Sequence, residues 1–322
     1  MTRGRLSLVA AVAVAALALV VVKLASSDAP ASSGGGEGPS ELLLLVVHTD
    51  VGTLDAVVGA GGSVAPAALI VPDTVAITIP GQGDATIADA LELPSRTAAT
   101  ATANLLGVWI PHSVEFGQGK IQAIVDRAGG IEVGGTEMTG AEALDAILTS
   151  GGARAQVWQT TLEAVLAVAT WEPKDLPQSD DPSRDAELLN AARGASVEVL
   201  PAEDVPGGIM RTDPDTIRTV VTAAWGVLDR EVQPVIVLNG SGAPGIGELV
   251  AERLIPGGFR IVVSENASSF DHDTTQVVVS SEEYRSLGER VRDLLGVGDV
   301  QVAGPASGLA DVTIVVGKDF GA

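Results

Sequence analysis

The chain has 322 residues, 46% of them hydrophobic, with 41 Asp and Glu against 19 Lys and Arg and a formal net charge of -22. Such a charge repels phosphate backbones and anionic lipid headgroups, which argues against nucleic acid as a partner. The absence of cysteine removes disulfides, thiolate catalysis, Cys-ligated metals and lipidation of an N-terminal Cys, and with 3% aromatics the cores are built from Ala, Val, Leu and Ile.

Residues 1–5, with Arg3 and Arg5, form a cytoplasmic tail ahead of an apolar run from Leu6 to Val22 that is long enough to cross the hydrocarbon with Lys23 snorkelling. A transmembrane anchor is predicted over 6–24, and the preceding arginines keep the N-terminus inside, so the chain after Leu24 lies outside the cell membrane. A cleaved signal peptide, cut near Ala25 and Ser27, is the other reading and exports the same residues. Residues 25–40, rich in Gly, Ser and Pro, make a flexible tether.

From 41 to 230 the pattern alternates. Leu42–Val47 is a short apolar run suited to a strand buried on both faces. Ala67–Val71 and Val75–Ile79 are further strands, the latter ending in the turn Pro80–Gly83. Leu105–Phe116 and Ile121–Val133 read as helix end, strand, helix and strand, with Gly129 and Gly130 stopping the second helix. Helices follow at Gly140–Leu148 and Gln156–Ala169, then a helix at Ala186–Arg193, a strand at Val197–Leu200 and a helix at Asp215–Leu228 opened by Asp213-Pro214. The fold class is α/β, a sheet sandwiched by helices.

Three stretches of this segment resemble the LytR-CpsA-Psr (LCP) family, proteins outside the bacterial membrane that attach glycopolymers to peptidoglycan. They are Leu106–Phe116, Ile124–Val133 and Thr139–Leu144. They look like the family's strand, its "VDxxGGVxV" helix-to-strand turn and its "LxGxxAL" helix start. Where active members carry Pro-Arg-Asp-Thr, this chain has Val71-Pro-Asp-Thr74, so Asp73 is present and the arginine is absent. Asp50 falls at the family's first-strand aspartate with no arginine after it, and of the later arginine cluster only Arg154 and Gln159 match. The resemblance implies that those arginines clamp a lipid-linked pyrophosphate, a task suited to planar guanidinium forks. Their loss predicts a non-catalytic relative, with Asp50, Asp73 and Arg154 as the remaining catalytic candidates; the alternative is an active phosphotransferase joining polyprenyl-pyrophosphate-linked polymer to peptidoglycan. Turn and cap roles account for Asp50 and Asp73, and a Mg site through these two carboxylates is the competing reading, needed only if the enzyme is active. The loop Trp171–Asp185 reads as solvated and acidic, and Ser179-Asp-Asp-Pro182 lacks calcium-ligand spacing.

Residues 231–322 form a small α/β sandwich of two strand-helix-strand units. Strands are predicted at Val235–Leu238, Phe259–Val263, Gln276–Val279 and Val312–Val316, and helices at Gly245–Leu254 and after a capping box at Ser280–Glu283. Val237–Gly242, Gly245–Gly247, Leu254, Gly258-Phe259, Asn266-Ala267, Thr275, Asp311–Gly317 and Asp319-Phe320 resemble the C-terminal domain of many LytR-type proteins, whose own activity is undefined. Gly240, Gly242 and Gly245 also fit a dinucleotide fingerprint with Glu265 downstream. A tight structural turn needs the same glycines, and the exported location and small domain argue against a nucleotide, so no cofactor is expected. Asp271-His-Asp273 reads as an exposed loop, and His48 and His112 as core or rim histidines without a nucleophile signature. The sequence thus predicts a single-pass, extracytoplasmic cell-envelope protein with a degenerate LCP-like domain and a LytR C-terminal-like domain, whose partner is a cell-wall polymer or another envelope protein.

Overall fold

The computed structural model describes residues 41–50, 52–61, 64–149, 154–226, 231–303 and 308–321. The predicted tail, anchor and tether lie outside these residues, and among the described ones no helix is long and apolar enough to cross a membrane. Residues Glu37–Ala322 pack as one compact unit of mixed α/β architecture.

The strands are β1 (Glu41–Thr49), β2 (Gly52–Ala60), β3 (Ala67–Ile70), β4 (Ala76–Ile79), β5 (Gly83–Thr86), β6 (His112–Gly117), β7 (Ile131–Val133), β8 (Thr136–Met138), β9 (Ser196–Val199), β10 (Glu203–Val205), β11 (Ile209–Arg211), β12 (Gln233–Asn239), β13 (Phe259–Asn266), β14 (Gln276–Val279), β15 (Asp299–Val302) and β16 (Val312–Val316). The helices are α1 (Ile87–Leu91), α2 (Ser95–Leu106), α3 (Gln118–Ala128), α4 (Gly140–Thr149), α5 (Arg154–Leu166), α6 (Pro182–Ala191), α7 (Pro214–Trp225), α8 (Ile246–Leu254) and α9 (Arg285–Leu295).

The first sheet has the order β6-β1-β2-β3-β9, with β1 parallel to β6 and antiparallel to β2. Successive side chains of a strand point to opposite faces, and here both faces are buried. Leu43, Leu45 and Val47 pack with Ile121, Trp158, Leu162 and Leu189 of α3, α5 and α6. Leu42, Leu44 and Val46 join a second cluster that runs through α1, α2 and α7 into Val235, Phe259, Ile261, Ile314 and Phe320. This second cluster crosses position 230 without a break, so the two sheets share one continuous core.

The second sheet, β13-β12-β16-β14-β15, presents β13 as an edge. Exposed strand edges invite unwanted pairing and are usually covered; this one is covered from the first half of the chain. Asn104 on α2 donates through Nδ2 to Ile261 O at 2.8 Å and accepts from Ile261 N at 2.8 Å, and also donates to Thr78 O at 3.1 Å. A register shift between Val235 and Ile236 interrupts the regular pairing of β12 with β13. Beside it, Thr78 Oγ1 donates to Val262 O at 3.3 Å and Gly81 N to Ser264 Oγ at 2.7 Å. Gly247, at the start of α8, lies so close to Gly81 that an added Cβ would fall 2.3 Å from the Gly81 nitrogen, so only glycine fits. Arg96 adds an exposed pair to Glu252 at 2.6 Å.

Two sequence expectations change. The capping box at Ser280 does not form: Ser280 Oγ donates to Asp311 Oδ1 at 2.7 Å, Ser281 caps a short 3-10 turn without a side-chain bond, and α9 begins at Arg285. The stretch after Asp50, unassigned from the sequence, is strand β2 in the centre of the first sheet.

Asn104→Ala leaves the buried amide and carbonyl of Ile261 unpaired at that edge, and is expected to lower the unfolding free energy by about 2–4 kcal/mol in urea titration. A loss below about 0.5 kcal/mol, typical of a neutral surface change, would contradict this role for the amide.

Candidate functional site

Asp50 sits in the turn after β1. Its Oδ2 accepts from Gln118 Nε2 at 2.6 Å, and its N–H donates to Gln118 Oε1 at 3.3 Å, so the carboxylate fastens the turn to the start of α3. Asp73 lies in the turn after β3, where its carbonyl accepts from Ala88 N at 2.8 Å and its Oδ2 receives Arg154 Nη2 at 2.7 Å. Arg154 is the first residue of α5, which carries it to the turn. Gln159, one helical turn later, donates to Val197 O at 2.6 Å and ties α5 to β9. Asp73 and Arg154 are thus brought together, whereas Asp50 is engaged by α3.

The structure adds a residue that the sequence reading passed over. Asp55, on β2, is 2% exposed, its Oδ2 has no hydrogen-bond partner, and its backbone carbonyl accepts from Trp158 Nε1 at 3.0 Å. Burial, reinforced by the negative charge of Asp73, pushes the Asp55 carboxyl well above the ordinary carboxylate range. The signal was a lone acid between Leu54 and Ala56-Val-Val58, where an unpaired charge is costly.

The donor set fits Mg poorly. Asp50 is bonded to Gln118, the Asp73 Oδ2 to Arg154, and burial raises the proton affinity of Asp55; among the described residues no group of three His, Cys, Asp or Glu side chains is arranged to hold a metal ion. Two cavities stand out, of about 80 and 10 Å³, and neither is lined by these three acids.

The remaining candidates have structural partners. His48 Nε2 lies 3.0 Å from Glu115 Oε2. His112 lies between Glu41 and Asp185, at 3.2 and 3.1 Å, and Ser179 Oγ donates to Asp185 at 2.6 Å. Asp181 caps α6, and Asp273 pairs with Lys318 at 3.0 Å. His272 covers Gly240 with its ring, and Asn239 Oδ1 accepts from Ser241 N and Gly242 N, closing the glycine turn on itself. The family-like motifs act in the same structural way. Asp126 Oδ1 accepts from Gly140 N at 2.7 Å, which joins α3 to α4. Thr275 Oγ1 donates to Asp319 at 2.7 Å while accepting from Gly317 N at 3.0 Å.

Residues 233–320 match the family model described as LytR cell envelope-related transcriptional attenuator. No curated protein sequence matches the chain. Among solved structures, the LytR-CPS2A-psr family protein YwtF (TagT) of Bacillus subtilis, solved with bound octaprenyl pyrophosphate lipid, is similar at 15% identity and TM-score 0.47, over 60% of this chain and 92% of that one. A LytR-Csp2A-Psr enzyme from Actinomyces oris is similar at 17% identity and TM-score 0.46, over 59% and 92%. A transcriptional regulator from Enterococcus faecalis is similar at 17% identity and TM-score 0.43, over 58% and 86%.

Because the folded-state Asp55 carboxyl ionises above its unfolded value, ionisation favours the unfolded chain as pH rises from about 4 toward that higher value. Asp55→Asn, neutral throughout, should therefore gain thermal stability over the wild type by a few degrees at pH 7 and lose the advantage near pH 4. A difference that stays flat across this range, or reverses, would contradict a neutral buried Asp55. The comparisons close on the two resemblances read from the motifs: residues 233–320 are similar to the LytR C-terminal family, and the chain is similar to solved LytR-CPS2A-Psr proteins.

Proposed function

We propose that the chain is a membrane-anchored, extracytoplasmic cell-envelope protein, a non-catalytic relative of the LCP proteins that assists attachment of a wall glycopolymer or holds a wall component or envelope partner. The observation that carries this reading is the charge arrangement at the site. Arg154, the arginine that reaches Asp73, spends one nitrogen on that carboxylate at 2.7 Å, and no second arginine joins it among the contacts of Asp73 in the described residues. Phosphoryl transfer is driven by cations that gather charge from the transferred group, and a single arginine in such a reaction is worth about three to five powers of ten. A guanidinium already neutralised by its neighbour supplies little of that.

Packing supports the same reading. Between the first sheet and α3–α6 the volume is filled by Phe116, Trp158, Leu162, Val165 and Trp171, all nearly or fully buried. Phe116 and Trp171 stack with ring centroids 5.4 Å apart. A long polyprenyl chain entering between this sheet and these helices would have to displace this core. Active transfer is the second reading, favoured by the match of Asp73 and Arg154 to positions of the family-like motifs.

Detergent-solubilised full-length protein incubated with Mg and a polyprenyl pyrophosphate should release no phosphate above the buffer control. Cleavage that disappears in Asp73→Ala would establish the transferase instead.

A further inference from the structure

Away from Asp55 and Asp73, one guanidinium nitrogen is left without an acceptor among the described residues. Arg260 on β13 alternates with Phe259 and Ile261, which face the continuous core, so its side chain leaves the sheet on the opposite side. Its Nε is buried and has no hydrogen-bond partner, and burial lowers the proton affinity of the group from the usual arginine value. A desolvated cation without a counter-charge is costly, and proteins resolve such groups with a partner, a water or an ion.

The side chain lines a cavity of about 80 Å³, walled by Pro214, Asp215 and Arg218 of α7 and by Glu231 and Val232 ahead of β12. Arg218 holds Asp215 through one nitrogen at 2.9 Å, in a pair exposed on both sides. Such pairs are weak, so the rest of that guanidinium is available to the cavity. The volume corresponds to about two or three waters, room for one tetrahedral oxyanion and too little for a sugar ring or a nucleotide. A planar carboxylate is satisfied by one guanidinium fork, whereas a phosphate offers oxygens to forks arriving from two elements.

We propose that this cavity is a binding site for a single phosphate group, presented as a terminal phosphate or as a diester within an anionic polymer, clamped by Arg260 from the sheet and Arg218 from α7. Glu231 and Asp215, which line the same cavity, oppose the anion and set the affinity low. The site is independent of the residues at Asp73 and does not require the chain to be catalytic or inert.

Calorimetric titration of the full-length protein with inorganic phosphate should give saturable binding with a Kd on the order of 1 mM. Arg260→Met should weaken it at least about tenfold, and Glu231→Gln should tighten it several-fold. Diethyl phosphate in place of inorganic phosphate separates the sources: retained binding assigns the site to a polymer diester, and loss assigns it to a terminal or free phosphate. Because the buried Arg260 Nε has no partner to lose among the described residues, Arg260→Met should melt at the wild-type temperature or above it. No saturable phosphate binding, binding that survives Arg260→Met, equal binding of acetate, or a clear fall in the melting temperature of Arg260→Met would each overturn the proposal.

Discussion

One guanidinium bonded to Asp73, with the buried Asp55 near enough to feel the Asp73 charge, sets the character of the site where β2 and the β3 turn meet α5. Arg154 bonds Asp73, and burial raises the proton affinity of Asp55, which lowers the cost of its desolvation. The cluster is therefore electrically self-satisfied. A site built to receive a diphosphate needs the opposite, a surplus of positive charge facing an open volume. The scaffold around the pair is plain: an acid in the turn after β3 and the helix α5 that brings an arginine to it.

The same economy of partners governs the join between the two halves. The edge of β13 has backbone groups taken by Asn104 and Thr78 and its Ser264 hydroxyl taken by Gly81 N–H, and the Gly81–Gly247 approach brings α8 against the turn after β4. This contact places the start of α8 beside the protein's own backbone, and the loop before it is closed by Asn239. Gly240 and Gly242 of this turn are thus engaged by the protein's own His272 and Asn239. The LytR-type motif residues around Thr275, Gly317 and Asp319 likewise form a hydrogen-bonded clasp between β14 and the end of β16. The resemblance they carry is one of fold.

Much of this architecture was legible in the sequence because apolar runs and punctuating glycines report burial directly. Leu42–Val47, Ala67–Val71, Val235–Leu238 and Val312–Val316 are strands as expected, and Gly129 and Gly296 end helices in left-handed backbone. The failures have physical causes. β2 carries Asp55 inside its apolar stretch and Gly52 and Gly59 near its ends, which reads as a loop until the pairing with β1 is seen. α2 is built from Ser, Thr and Ala with no stripe of large side chains, so it hid behind low hydrophobic contrast although its residues 98–106 are buried. Asn104, Asp55 and Arg260 act through partners, or a lack of partners, more than 100 residues away in sequence or fixed only by burial. No local pattern encodes such a relation. Asp73 and Arg154 were found because a family pattern named their positions, and the structure supplied what the pattern could not, namely that they bond to each other.

The central claim is that this self-neutralised cluster does not grip a diphosphate, and equilibrium binding tests it without depending on turnover. Full-length protein titrated calorimetrically with a short-chain prenyl pyrophosphate in the presence of Mg should give no saturable heat beyond dilution. Stoichiometric binding that is lost in Arg154→Ala would show that the guanidinium leaves Asp73 to hold the ligand, and would contradict the account.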